Sequence, residues 1–506
     1  MQYSLGRREF MTQAMAGTAV LALPAGSQAA IASLADTVYD LVIVGAGTAG
    51  LPAAIFAAQR GAKVILLEAA GQIGGTLHLS TGQMSAAGTR LQRAKGIKDT
   101  PDMHYDDVMR ISRGTADPVL TRLAVDAAAE TFDWLMDRGF APLDEHPILG
   151  LGHEPYSERR YYWGAEGGRT ILATLRRDFD PLVTSGKVDL LLQTPVTALL
   201  TNDAGAIEGV RIQSADRERI VRGRHVLLTC GGYASNTEMF ERLSGYRDYA
   251  DTAYPYSMGA GLELGVSVGG FLRGRENYLC NFGSILTDSG FPGKFLGRFT
   301  VVPQRRQPWE VFVNAYGERF IREDEPSFDK REHALLKQPD IRYWIVFDEQ
   351  IFATAPPGVG GWSREQMREA FGVHSWFQKA DSLQALAEAS GIDPQGLART
   401  IEAYNAGVSS GTDPWGREHK PLPILKPPFY AIRHQGHSTT STVGLAVDGA
   451  LRVIRPGGQP ITNLYAAGEL LGAGQTQGKS FVGGMMITPA LSFGRLLGQT
   501  LPLGSA

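Results

Sequence analysis

A chain of 506 residues can bury more than one core, and 43% hydrophobic with 20% charged residues is the composition of an ordinary globular protein. The 49 Lys and Arg against 52 Asp and Glu leave a formal net charge of −3, which gives no electrostatic footprint for nucleic acid. The two cysteines, Cys230 and Cys280, exclude a Cys-ligated iron–sulfur cluster and a C-x-x-C-H haem attachment within the chain, and no apolar run reaches the roughly 18–20 residues that span a bilayer.

At the N-terminus, Gly6-Arg7-Arg8-Glu9-Phe10-Met11 precedes a mildly apolar stretch over 14–23 and the small residues Gly26-Ser27-Gln28-Ala29-Ala30. The layout resembles a twin-arginine export signal, departing from the pattern just before the arginines and just after the Phe. A disordered or amphipathic arm is the competing reading. The signal reading makes residues 1–35 a signal peptide and linker. It also implies the twin-arginine export machinery as a partner and the periplasm as the destination.

Tyr39-Asp40-Leu41-Val42-Ile43-Val44 is a short apolar run suited to a buried parallel strand. It turns through Gly45-Ala46-Gly47-Thr48-Ala49-Gly50, a G-x-G-x-x-G, into an Ala-rich helix over 51–60 closed by Gly61. A second strand, Lys63-Val64-Ile65-Leu66-Leu67, ends in Glu68-Ala69. Glycines permit a close backbone approach, and the helix N-terminus offers N–H groups to a pyrophosphate. An acid about 20 residues on can take a ribose hydroxyl. Strand, helix and acid-tipped strand together predict a dinucleotide site.

A second glycine pair, Gly74-Gly75-Thr76, follows at once, then Leu77-His78-Leu79-Ser80-Thr81-Gly82-Gln83-Met84. Helical sequence is expected over 106–139. An aromatic and charged cluster from His153 through Tyr161-Tyr162-Trp163 precedes Gly167-Gly168, and strands are expected over 188–192, 209–213 and 225–229. Further short motifs are Cys230-Gly231-Gly232, Asn314-Ala315-Tyr316-Gly317-Glu318-Arg319-Phe320, Asn463-Leu464-Tyr465-Ala466-Ala467-Gly468-Glu469 and Phe481-Val482-Gly483-Gly484-Met485-Met486-Ile487.

Together these stretches resemble the fumarate reductase/succinate dehydrogenase flavoprotein family, nearer at the C-terminus to its 3-ketosteroid dehydrogenase-like branch. The resemblance covers nearly all of the chain after about residue 38 and implies FAD. The implied fold class is α/β: a discontinuous Rossmann-like FAD-binding domain over 36–295 and 440–506, with an inserted α+β capping domain over 296–439. It assigns the cofactor to Gly45, Ala46, Gly47, Thr48, Ala49, Gly50, Glu68, Ala69, Gly74, Gly75 and Thr76. Gly82, Val196 (near adenine), Gly231, Gly468, Glu469, Met486 and Ile487 complete that set. Thr76 falls where succinate dehydrogenases carry the histidine that tethers FAD, so non-covalent FAD is expected. No metal is implied.

The resemblance also implies the reaction class, hydride transfer between flavin N5 and a CH–CH or C=C bond beside a carbonyl. The family's substrate-gripping cations map onto Phe352, Phe481 and Ser441, so a neutral, apolar cyclic ketone or steroid-like substrate is expected. An unsaturated carboxylate, or a flavoprotein electron-transfer subunit, is the alternative. Tyr162, His437 and Ser441 are the candidate catalytic residues, with structural roles for Tyr162 and His437 as the competing reading. With no cluster in the chain, electrons must pass to or from a diffusible or protein partner.

Overall fold

The computed structural model describes residues 37–150, 153–214, 217–287 and 290–502; the expected export signal lies outside the described residues. The first apolar run forms β1 (Val38–Val44), the Ala-rich segment α1 (Gly50–Gln59), and the second run β2 (Val64–Leu67). β1 pairs in parallel on one side with β2 (Val42 opposite Ile65). The same strand is flanked on its other edge (Val42 opposite Val226). A strand enclosed in this way is apolar on both faces, which is why the run shows no alternation.

The helical stretch over 106–139 is two helices, α2 (Pro101–Ile111) and α3 (Pro118–Asp137), and not one. Arg113 and Gly114 both turn to positive φ (58° and 71°) and end the first helix. Pro118 suits a first turn because it has no N–H to leave unpaired, and Asp117 caps the helix by accepting from the N–H groups of Val119 and Leu120. Then follow α4 (Gly168–Thr184), β3 (Val188–Leu191), β4 (Val196–Thr201), β5 (Ile207–Ser214) and the long β6 (Arg217–Leu228).

A four-stranded antiparallel sheet comes from the middle of the chain: β7 (Val311–Val313), β8 (Arg342–Asp348), β9 (Phe377–Ala380) and β10 (Phe429–Gln435), in the order β7-β8-β10-β9. Between its first two strands runs α5 (Phe328–Leu335), started by Ser327, whose hydroxyl accepts from Lys330 N–H. The expected boundary at 295/296 falls inside the strand Gly293–Gly297, which pairs with Ala250–Asp251. The chain then returns to the first sheet through β11 (Arg452–Ile454) and β12 (Pro460–Ala466), and α6 (Ile487–Thr500) follows, with Pro489 in the first turn. The eight-stranded sheet has the path β11-β12-β6-β1-β2-β3, with β5 on β6 and β4 on β5.

A buried ion cluster fastens the loop before α4 to α2. Arg160, with no exposed side-chain surface, donates from Nε and Nη2 to both oxygens of Asp99 (2.9 and 2.6 Å) and from Nη1 to Asp107. Asp107 also accepts from the backbone and hydroxyl of Ser157, both at 2.7 Å. Buried carboxylates need this pairing, because removing one partner of such a cluster costs about 3–5 kcal/mol. Arg160→Met is therefore expected to lower the thermal midpoint by a loss of that size, measured against wild type by calorimetry. An unchanged midpoint would show that the cluster holds nothing.

Candidate active site

The turn from β1 to α1 is shaped by backbone crowding. A Cβ on Gly45, whose φ is +105°, would stand 2.6 Å from the carbonyl oxygen of Thr229, and one on Gly50 would stand 2.0 Å from the oxygen of Gly45. Thr229 ties the sheet to this turn by donating its hydroxyl to Gly45 O at 2.8 Å. Glu68 closes the turn from below, accepting from Ala46 N–H at 2.8 Å and Ala70 N–H at 2.7 Å. Burial raises its carboxyl pKa, and the backbone donors at Ala70 and Ala46 pull against that rise.

The turn opens on a cavity of about 480 Å³. Gly45, Gly47, Thr48, Ala49, Glu68 and Ala69 line one end, and Gly75, Thr76 and Val196 its flank. Gly231, Gly468, Glu469, Met486 and Ile487 line the rest, so the start of α6 faces into it. Four expected cofactor residues lie behind this lining. Ala46 holds Glu68 through its N–H, Gly50 packs on Gly45, and Gly74 donates to Ala46 O at 2.7 Å. Gly82 abuts Gly167, where a Cβ would come within 2.3 Å of the backbone.

A second cavity, about 980 Å³, lies between the two sheets. Thr439, Thr440, Gln477, Phe481 and Met486 line both cavities, so the two are contiguous across these side chains. One wall of the larger cavity is aromatic: the His153 ring lies 4.2 Å from Phe481 and stacks on Phe328 at 5.0 Å. Another wall is polar. Arg298 donates from Nε and Nη2 to Ser284 Oγ (3.2 and 3.1 Å), and His437 Nε2 lies 3.0 Å from that hydroxyl and 3.1 Å from Asn281 Nδ2. Arg298 has free surface, but that surface faces the cavity, and the protein around it lowers its pKa by desolvation. Asn281 Oδ1 accepts from Gly283 N–H at 3.0 Å, so the amide Nδ2–H donates to His437 Nε2, which makes the imidazole the Nδ1–H tautomer. Burial first, and Arg298 second, push the His437 pKa down to about 3.

Of the three candidate catalytic residues, only His437 reaches a cavity. Tyr162 is fully buried and bonds Thr89 Oγ1 at 3.0 Å, with its ring 4.1 Å from Phe132. Ser441 accepts from Tyr233 N–H at 2.6 Å and donates its own N–H to Glu469 at 2.9 Å, clamping the returning chain to the glycine pair at 231–232. Neither Tyr162 nor Ser441 lines either cavity, and both are held by hydrogen bonds in the core. Phe352 stands away from both cavities as well. It lies within the aromatic core of the smaller sheet, 5.1 Å from the Tyr430 ring and under the guanidinium of Arg368. Phe282, Phe299, Phe328 and Phe481 are the phenylalanines that line the larger cavity.

The family model of the FAD binding domain matches residues 40–483. The chain belongs to that family. Fumarate reductase (cytochrome) of Shewanella frigidimarina is 30% identical over 475 residues, covering 93% of this chain and 78% of the relative. Vinyl phenol reductase of Lactiplantibacillus plantarum is 29% identical, covering 85% of this chain and 89% of the relative. Among solved structures, the open conformation of a flavocytochrome c3 fumarate reductase matches at 28% identity with a TM-score of 0.68, covering 94% of this chain and 80% of that one. The 3-ketosteroid Δ1-dehydrogenase from Sterolibacterium denitrificans matches at 19% identity with a TM-score of 0.70, covering 92% and 99%, a likeness of fold.

This FAD-binding flavoprotein is an oxidoreductase, and its smaller cavity fits the cofactor. Gly45 and Gly47 leave the turn free of side chains that would block a pyrophosphate, and Glu68 and Val196 line the same cavity. Bound FAD supplies a two-electron hydride donor and acceptor. Arg298, His153 and Glu332 in the larger cavity escape sequence reasoning because none lies in a recognisable motif. They meet only through the tertiary fold. Tyr162→Phe in this flavoprotein is expected to keep FAD content and turnover while losing about 1 kcal/mol of stability. A large loss of turnover with stability intact would return Tyr162 to the chemistry.

Proposed function

We propose that this flavoprotein interconverts a C–C and a C=C bond beside a carbonyl group, on a substrate with an apolar, cyclic body and one polar head. The observation that carries the reading is Arg298. Its hydrogen-bond partner among the described residues is the neutral Ser284, it makes no ion pair within 4.0 Å among them, and it lines a cavity that Phe481, His153 and Phe328 also line. A guanidinium in that setting favours a carbonyl or carboxylate oxygen, and the rings favour an apolar body. The expectation of a cavity without cations therefore gives way to one with a polar end. The volume of about 980 Å³ leaves room for more than one ring.

A short unsaturated dicarboxylate is the second reading, favoured by Arg305, which also lines the cavity and offers a second cation. Electrons pass to or from a diffusible or protein partner. Thr76 lines the cofactor cavity, whereas His78 Nε2 is engaged with Ile73 O at 2.9 Å, which supports non-covalent FAD. The Arg7-Arg8 motif supports folded export to the periplasm by the twin-arginine route.

Four experiments test these readings. A screen of cyclic ketones and enones against fumarate, read as flavin bleaching and reoxidation, is expected to favour a cyclic compound. Equal or faster turnover of fumarate would establish the dicarboxylate reading instead. Phe481→Ala should cost an apolar substrate roughly 1–2 kcal/mol, about a 5–30-fold rise in KM, with FAD retained. Acid precipitation should leave the yellow colour in the supernatant; colour in the pellet, with added mass on the His78 peptide, would establish a covalent flavin. Replacing Arg7 and Arg8 by lysine should abolish export without changing FAD content, and export unaffected by both changes would exclude the twin-arginine route.

A further inference from the structure

Reducing a C=C bond beside a carbonyl requires a proton as well as a hydride, and the chain must present that proton inside an enclosed cavity. His437 is a poor source: its imidazole is held neutral, with Nε2 accepting from Asn281. His153 is similarly neutral, pushed down to about 4 by burial and then by Arg298 and Arg331. The Cys280 thiol at the same wall is pushed up by burial. Glu154 already accepts the Ser327 hydroxyl. Tyr162, the expected proton handler, is outside the cavity.

Glu332 remains. It lies one turn into α5 from Phe328 and lines the larger cavity. Its carboxyl makes no hydrogen bond or ion pair among the described residues, and only 4% of the residue is exposed. We propose that Glu332 is the acid–base catalytic residue of this cavity, giving a proton to the carbon next to the carbonyl as hydride reaches the neighbouring carbon. This rests on the C=C reading of the site. The π bond breaks, two C–H bonds form, and the hydride is the one the reduced cofactor supplies. Glu332 is left as a carboxylate and regains its proton from water. In desaturation the same carboxylate removes the proton and both bonds break.

The surroundings suit the role. Burial first and Asp329 on the same helix second raise the carboxyl, Arg298 and Arg331 oppose the rise, and the balance lies at about 8. Cys280 faces it from the preceding segment as a neutral thiol, and Asp329 is itself paired with Arg113. Near neutral pH the group is therefore mostly protonated, and it can return to that state after each turnover. The sign follows: reduction requires the protonated form and falls as pH rises through about 8, and desaturation requires the carboxylate and rises through the same range.

The test uses the FAD-loaded full chain, with the unsaturated carbonyl compound that wild type reduces fastest. Glu332→Gln is expected to lose about 10²–10⁴-fold in kcat with little change in KM, and to keep FAD content and dithionite reduction. Its pH–rate limb should vanish. So should the protonated-carboxyl band in the infrared difference spectrum between about pH 6 and pH 10. Glu332→Asp, which withdraws the carboxyl by one methylene, should keep partial turnover and shift the limb; it decides the question if the Gln variant does not fold. Wild-type kcat in Glu332→Gln, or a limb unmoved in both variants, overturns the proposal and leaves the C=C reading standing. No turnover of any unsaturated carbonyl compound by wild type overturns both.

Discussion

Backbone-to-backbone packing around the first βα turn is the constraint on which the rest of the architecture depends. Gly45 presses on Thr229, Gly50 on Gly45, and from the far end of the chain Gly494 presses on Ala49, where a Cβ would come within 2.0 Å of the carbonyl oxygen. Gly498 repeats the contact one turn later against Ala53. The result is that α6 lies against α1 at a distance no larger residue permits. Its N-terminal end is thereby set with Met486 at the rim shared by the two cavities and Ile487 lining the smaller one. Such packing forgoes side-chain burial at these points and gains positional definition for the groups that border the chemistry.

Around that framework the buried polar groups divide into those that fasten and those that face open space. Arg160, Ser441 and Tyr162 have their hydrogen-bonding capacity taken up by neighbours in the core. Arg298 and Glu332 do not: one has a single neutral hydroxyl as partner and the other makes no hydrogen bond among the described residues. Both line the larger cavity, where their spare hydrogen-bonding capacity faces open space.

Much of the cofactor half is legible in the sequence because its determinants are local. The strand, the glycine turn and Glu68 fall within one continuous segment, and each residue's role follows from its neighbours in sequence. The substrate half is not. Phe352 sits two turns of reasoning from the cavity because motif spacing cannot tell which face of the β8 region turns inward, and it faces Tyr430. Tyr162 stands beside glycine-rich sequence yet points into the core against Phe132. The break between α2 and α3 is visible locally in Gly114 and Pro118, and a continuous helical reading overlooks both. His437 is brought to the cavity by the return from β10, and Arg298 and Glu332 meet it only after that return.

The shared rim has a consequence for the order of assembly. Thr439, Thr440, Gln477, Phe481 and Met486 all follow the smaller sheet in the chain, while the glycine turn they face was made more than 380 residues earlier by position (Gly50 against Thr439). Strand β6 acquires its outer partner β12, and α1 its glycine seam with α6, only from segments more than 200 and more than 400 residues further along the chain. Contacts of such long sequence separation form late in folding. The cofactor cavity is therefore complete only when the segment from Thr439 to Ile487 has docked against the glycine turn.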